Sequence, residues 1–79
     1  MSKEAALKRA FNQAIANPAV SFADREADIL VMRNVMIAYV RKNNIDISAA
    51  EIAEYVRVEL EKIDEALKDF SYSDQMMSR

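Results

Sequence analysis

The chain has 79 residues, with 11 Lys/Arg against 13 Asp/Glu, and it contains no Cys, no His and no Gly. Missing Cys and His exclude disulfides and the usual zinc centres, and missing Gly excludes glycine-rich phosphate loops and the dinucleotide fingerprint. With a single Pro and abundant Ala, Glu, Lys, Leu, Arg and Met, the composition specifies an all-α protein of one small domain.

The first predicted helix spans about residues 3–16. Leu7, Ala10, Phe11, Ala14 and Ile15 recur at helical spacing and give one apolar stripe, while Lys3, Lys8, Arg9 and Gln13 occupy the remaining arc. Asn17-Pro18 ends it, because a residue that precedes proline is pushed out of the α region.

The second helix, about 21–42, is predicted to start at Ser21 as N-cap with Asp24 three residues on, a short form of the capping box. Asp24, Glu26 and Asp28 suit the positive end of its dipole, and Arg41 and Lys42 the negative end. Asn43 and Asn44 follow, and Asn is the usual substitute for Gly in a left-handed C-cap. Within this helix, ten of the twelve residues from Ile29 to Val40 are apolar, interrupted only by Arg33 and Asn34. A bilayer span needs about 20 apolar residues, so no membrane span is expected. Yet the apolar side chains point in nearly every direction, whereas a surface helix needs only one stripe.

The third helix, about 48–70, carries the clearest start signal. Ser48-Ala-Ala-Glu51 is a capping box, and Ile47 with Ile52 forms a hydrophobic staple across it. Ala53, Val56, Leu60, Ile63, Leu67 and Phe70 then recur at alternating spacings of 3 and 4, the seam of a helix that packs lengthwise on another. Arg57 with Glu61 and Asp64 with Lys68 are expected as outward i,i+4 pairs. Residues 71–79 lack apolar periodicity and read as a flexible tail.

A short connection between two long helices predicts an antiparallel hairpin, with the shorter first helix folded across one side. Residues 1–70 then form a single three-helix domain. Two neighbours leave one arc of the second helix uncovered, carrying Leu30, Val31, Ile37 and Ala38; these are the predicted self-association residues, most simply in a two-fold dimer. Met32 and Met36 read as core filling, whereas Met76 and Met77 fall in the tail.

The sequence names no activity. Nucleophile–base arrangements need a His, a Cys or an activated Ser or Lys in a pocket. Ser2, Ser21 and Ser48 are accounted for as caps, and the carboxylates sit where solvated helix faces place them. No enzyme, cofactor or metal site is expected.

Charge is unevenly spread: residues 1–45 carry seven Lys/Arg and four Asp/Glu, and residues 46–69 three and eight. The acidic row Glu54, Glu61, Asp64 and Glu65 is the candidate surface for a basic or nucleic-acid-associated protein partner, and Arg33 with Asn34 is a second candidate contact. Arg33 and Asn34 are also suited to hold a carboxylate or phosphate, or to fix register across a dimer seam. The reading that follows is a small cytoplasmic adaptor or regulator that works by protein–protein interaction as a homodimer.

The segment Ile47-Ser-Ala-Ala-Glu-Ile-Ala-Glu-Tyr-Val-Arg-Val-Glu-Leu-Glu-Lys-Ile-Asp-Glu-Ala-Leu67 resembles the helix-turn-helix of sigma factors and repressors. The resemblance implies that Ile52 and Ala53 pack a first helix, that Val56 and Val58 bracket a turn, and that Ile63 with Ala66 or Leu67 anchors a recognition helix. It implies a DNA-binding regulator with Lys3, Lys8, Arg9 and Arg57 on phosphates. The turn position where that family usually has Gly is Arg57, and five acids against two lysines over residues 59–70 would meet the phosphate backbone unfavourably. The same residues also satisfy an unbroken helix. A third expectation is an oligomer that sequesters a small ligand at Arg33 and Asn34.

Overall fold

A computed structural model describes the backbone of residues 2–77 and the side chains of residues 2–68. Three helices follow one another, α1 (Lys3–Ile15), α2 (Arg25–Lys42) and α3 (Ala49–Met77). The chain is an all-α three-helix unit in which α1 packs on both longer helices, chiefly on α2. Arg25 at the start of α2 forms an ion pair with Asp64, far along α3. The end of α2 connects to the start of α3 through residues 43–48, so the two helices run antiparallel.

Each helix start has a local cause. The Ser2 hydroxyl caps α1 by accepting the Ala5 N–H at 3.1 Å. Ser48 does the same for α3, accepting from Glu51 N–H at 3.1 Å. The box there is only half closed, because the Glu51 carboxylate reaches instead to Lys3 Nζ on α1, at 3.2 Å. Ile47 and Ile52, the two halves of the staple, are both buried.

α2 begins four residues later than the sequence predicts. Its N-cap is Asp24, whose side chain accepts the Ala27 N–H, and not Ser21. The cause is Asp28, which is buried and accepts the backbone N–H groups of Ser21 at 3.0 Å and Phe22 at 2.9 Å. With those donors satisfied by a side chain, residues 21–23 have no need of a helical turn, and the Ser21 hydroxyl closes a smaller turn onto Ala23 N–H.

The other end of α2 is a Schellman motif. Asn44 sits at φ 55°, Ile45 N–H donates to Val40 C=O at 2.8 Å and Asn44 N–H to Arg41 C=O at 3.2 Å. Two carbonyls left over by the helix end are thereby satisfied.

The core is one cluster. Ala6, Ala10, Phe11 and Ala14 of α1 meet Met32, Met36 and Val40 of α2 and Ile52, Val56 and Leu60 of α3. Small alanines on α1 permit close approach of its backbone, and unbranched Met32 and Met36 fill the resulting gaps. Phe11 and Tyr55 meet edge to face, with ring centroids 5.8 Å apart, a favoured aromatic geometry.

One boundary at the C-terminal side differs from expectation, the end of the third helix. α3 runs without a break through residues 56–58 and on to Met77, so the segment with helix-turn-helix resemblance is one continuous helix here. Val56 and Leu60 are buried and Val58 half-buried, which a continuous helix achieves without a left-handed residue at Arg57. The tail expected from residue 71 is helical as far as Met77; Ser78 and Arg79, and the side chains of Met76 and Met77, lie outside the described residues. From Asp64 to Lys68 every residue is exposed, Leu67 by 58%, so α3 projects past the packed part of the bundle.

Candidate functional site

Between α1 and α3 lies an open groove of about 730 Å³. Leu7, Ala50, Tyr55 and Val58 give it an apolar floor. Around them stand the carboxylates of Glu4, Glu51, Glu54 and Glu59, against the amines of Lys8 and Lys62. The groove exists because α1 is short and presents Leu7 only partly buried, while α3 turns Tyr55 and Val58 outward on the flank of its core stripe.

Tyr55 marks the chemistry of the floor. Its phenol is pushed up to about 12, first by burial and then by the carboxylates of Glu59 and Glu4. Both effects oppose a phenolate, so the hydroxyl stays a neutral donor at any physiological pH.

Past Val58 and Lys62 the surface continues into a shallower depression lined by Glu61, Asp64 and Glu65. Three of the four predicted acidic residues thus share one depression, and Glu54 stands on the rim of the adjoining groove. Three of these four acids, Glu54, Glu61 and Asp64, are paired. Arg57 holds Glu54 at 2.6 Å and Glu61 at 2.8 Å, and the Arg57 guanidinium is held further above its ordinary value chiefly by Glu54. Asp64 turns to Arg25 of α2 and not to Lys68. Lys62 approaches Glu59 at 3.6 Å. Exposed pairs of this kind are worth about 0–1 kcal/mol each, weak enough for a partner's cations to displace.

Arg33 and Asn34 lie on different arcs of α2. Asn34 is exposed in the middle of the outer face, and Arg33 is half-buried on its flank. The Arg33 Nε atom is buried and has no hydrogen-bond partner among the described residues. Neither residue touches the groove, which is lined by α1 and α3 alone. Leu30 is 56% exposed and Ala38 exposed, whereas Val31 and Ile37 are half-buried against the edges of the core.

Compared with known proteins, the chain matches no family model, no curated sequence and no solved structure. Its geometry therefore carries the functional reading. No helix among the described residues is long and apolar enough to cross a membrane. Among the same residues, no three Asp or Glu side chains converge into a group able to hold a metal ion.

Sequence reasoning found the acidic row and the outer face of α2 but missed the groove. Leu7 reads as an ordinary member of the α1 stripe, and Tyr55 as one polar-tipped residue between seam positions. The available signal was the apolar Val58 outside the seam, next to two consecutive i,i+3 acid positions, Glu51 and Glu54.

Proposed function

We propose that this chain is a small non-enzymatic helical adaptor or regulator of the cytoplasm that binds another protein and works as a homodimer. The observation that supports the reading best is the α1–α3 groove, whose apolar floor is bordered by four glutamates and two lysines. A groove of that form suits an amphipathic helix, with its apolar side chains on Leu7, Tyr55 and Val58. Basic residues flanking the partner's apolar face would meet Glu4, Glu51, Glu54 and Glu59, and beyond them Glu61, Asp64 and Glu65.

A DNA-binding role would need Lys3 and Arg57 on phosphates, but the carboxylates beside them, Glu51 next to Lys3 and Glu54 and Glu61 next to Arg57, would face the same phosphates unfavourably. An oligomer that sequesters a small anionic ligand would rest on Arg33 and Asn34, which lie on different arcs of α2.

The test is titration with a synthetic 18-residue amphipathic helix that carries a leucine face flanked by lysines. Saturable binding is expected, weakening with salt and by about tenfold in Glu59→Lys. Binding unaffected by Glu59→Lys and by Val58→Asp would overturn the groove reading. Salt-dependent binding of duplex DNA that weakens in Arg57→Ala would replace it with the DNA-binding one.

A further inference from the structure

The two walls of the α1–α3 groove run in the same direction. Lys3, at the start of α1, pairs with Glu51 in the first turn of α3. Phe11, two turns along α1, meets the Tyr55 ring one turn along α3. Positions on both walls can therefore be followed from one mouth of the groove to the other.

Charge changes sign on the way. At the first mouth stand Glu4, Glu51 and Glu54, against Lys3, the partner of Glu51. Lys8 follows Glu4 by one turn of α1, and at the far mouth Lys62 lies 3.6 Å from Glu59. Three acids against one base thus give way to two bases against one acid. Arg57, outside the groove, divides its charge between Glu54 and Glu61, and the starts of α1 and α3 add about half a positive charge each. The first mouth stays negative after both. Between the mouths, Leu7, Tyr55 and Val58 make an apolar floor.

The wall from Ala50 to Lys62 covers about 18 Å of α3 at 1.5 Å per residue, the length of three helical turns. A guest helix of that length ends at Lys62, short of Asp64 and Glu65 in the next depression. It brings a polarity of its own, about half a positive charge at its N-terminus and half a negative charge at its C-terminus. Laid parallel to α3, it puts the positive end over Glu4, Glu51 and Glu54 and the negative end over Lys8 and Lys62. Laid the other way, both of its ends meet like charge.

We infer that the partner's helix binds in one direction, parallel to α3, as a segment of about three turns with bases in its first turn and an acid in its last. This direction presupposes that the groove is the partner site. The first-turn bases meet Glu4 and Glu54, the apolar stripe covers Leu7, Tyr55 and Val58, and the last-turn acid meets Lys62. That charge order is the reverse of what an isolated helix favours, so the segment is poorly helical alone and gains its helix on binding.

Two end-blocked peptides of about 14 residues and equal composition test the direction, both with the same leucine face. One carries lysines in its first turn and glutamates in its last, and the other has these charges exchanged. Titration at low salt is expected to favour the first by about fivefold, with helicity gained on binding, and the preference should shrink as salt rises. Lys62→Glu, on a side chain 70% exposed, is expected to erase the preference without changing the protein's own helicity. A nitroxide at the N-terminus of the first peptide is expected to broaden the backbone amides of Ala50–Glu54 more than those of Val58–Lys62. Equal affinities, a preference that survives Lys62→Glu, or broadening greatest at Lys62 would overturn the direction while leaving the groove as the binding site. Broadening that spares both walls, or no binding of either peptide, would sink the groove reading itself and the direction with it.

Discussion

The Asp28 carboxylate, 3% exposed, accepts the backbone N–H of Phe22 at 2.9 Å, and Phe22 is held at φ 63°. A left-handed backbone is costly for a residue with a Cβ, about 1–2 kcal/mol, and Phe22 gains little packing in return, since it is 56% exposed. The hydrogen bonds from Phe22 and Ser21 to Asp28 are what hold the α1–α2 connection in place. Charge-assisted bonds of this kind contribute about 1.5–3 kcal/mol each.

Asp28→Ala is therefore expected to destabilise the protein by about 3 kcal/mol, read from the midpoint of urea unfolding. Ser21→Ala should cost less than about 0.5 kcal/mol, because Ser21 is exposed and caps no helix. Asp24→Ala removes the real cap and should cost about 1 kcal/mol. A larger loss at Ser21 than at Asp24 would return the helix start to where the sequence alone puts it.

Asn44 supplies the left-handed residue of the Schellman motif that ends α2. Asn44→Ala should lower stability by about 1 kcal/mol, since alanine has no side-chain amide to offset the crowding of its Cβ. Asn44→Gly should be neutral or slightly stabilising. Equal losses for Ala and Gly would mean that the amide side chain, and not the backbone angle, is what this position needs.

How far these features were legible depends on the distance over which their causes act. Ser48, Ile47 and Ile52, or Asn43 and Asn44, act within one turn of the chain, and their neighbours in sequence announce them. The α3 seam was equally plain as far as Leu60 and Ile63, because helical spacing is itself the cause of the shared face. The start of α2 was not legible: Asp28 looks like any first-turn acid that favours the dipole, and nothing local says that its carboxylate turns back to residues 21 and 22. The acidic row was visible, but its neutralisation by Arg57 was only half visible. The i,i+4 pair with Glu61 follows from spacing, whereas the Arg25–Asp64 pair joins residues that come together only when α2 and α3 pack. The groove was hidden for the same reason, since its floor is assembled from two helices that are far apart in sequence.

Tyr55 gives a pH dependence with a defined sign. Its folded value is raised to about 12 from the ordinary 10.0, so the unfolded chain ionises first. The stabilisation by the neutral phenol is complete below pH 10 and is lost as the pH rises from 10 to about 12. An ultraviolet titration should show one of the three tyrosines ionising near 12, and that late component should vanish in Tyr55→Phe. Alkaline loss of stability between pH 10 and 12 should be shallower in the same variant. A wild-type titration with all three phenols near pH 10 would contradict the burial of this ring.

Met36 and Leu30 separate the two faces of α2. Met36 is fully buried between the helices and Leu30 stands more than half exposed on the outer arc. Truncating a buried Met to Ala removes apolar contact and leaves a cavity, at a cost of about 2–5 kcal/mol. In a domain this small, whose single core supplies only about 3–5 kcal/mol, Met36→Ala should leave the chain largely unfolded at 37 °C by circular dichroism. Leu30→Ala should alter unfolding of the monomer by less than about 0.5 kcal/mol, measured at low micromolar concentration, where pairing contributes least. Comparable losses for both would mean that Leu30 is packed within its own chain, so that the apolar character all around α2 is answered inside one three-helix unit.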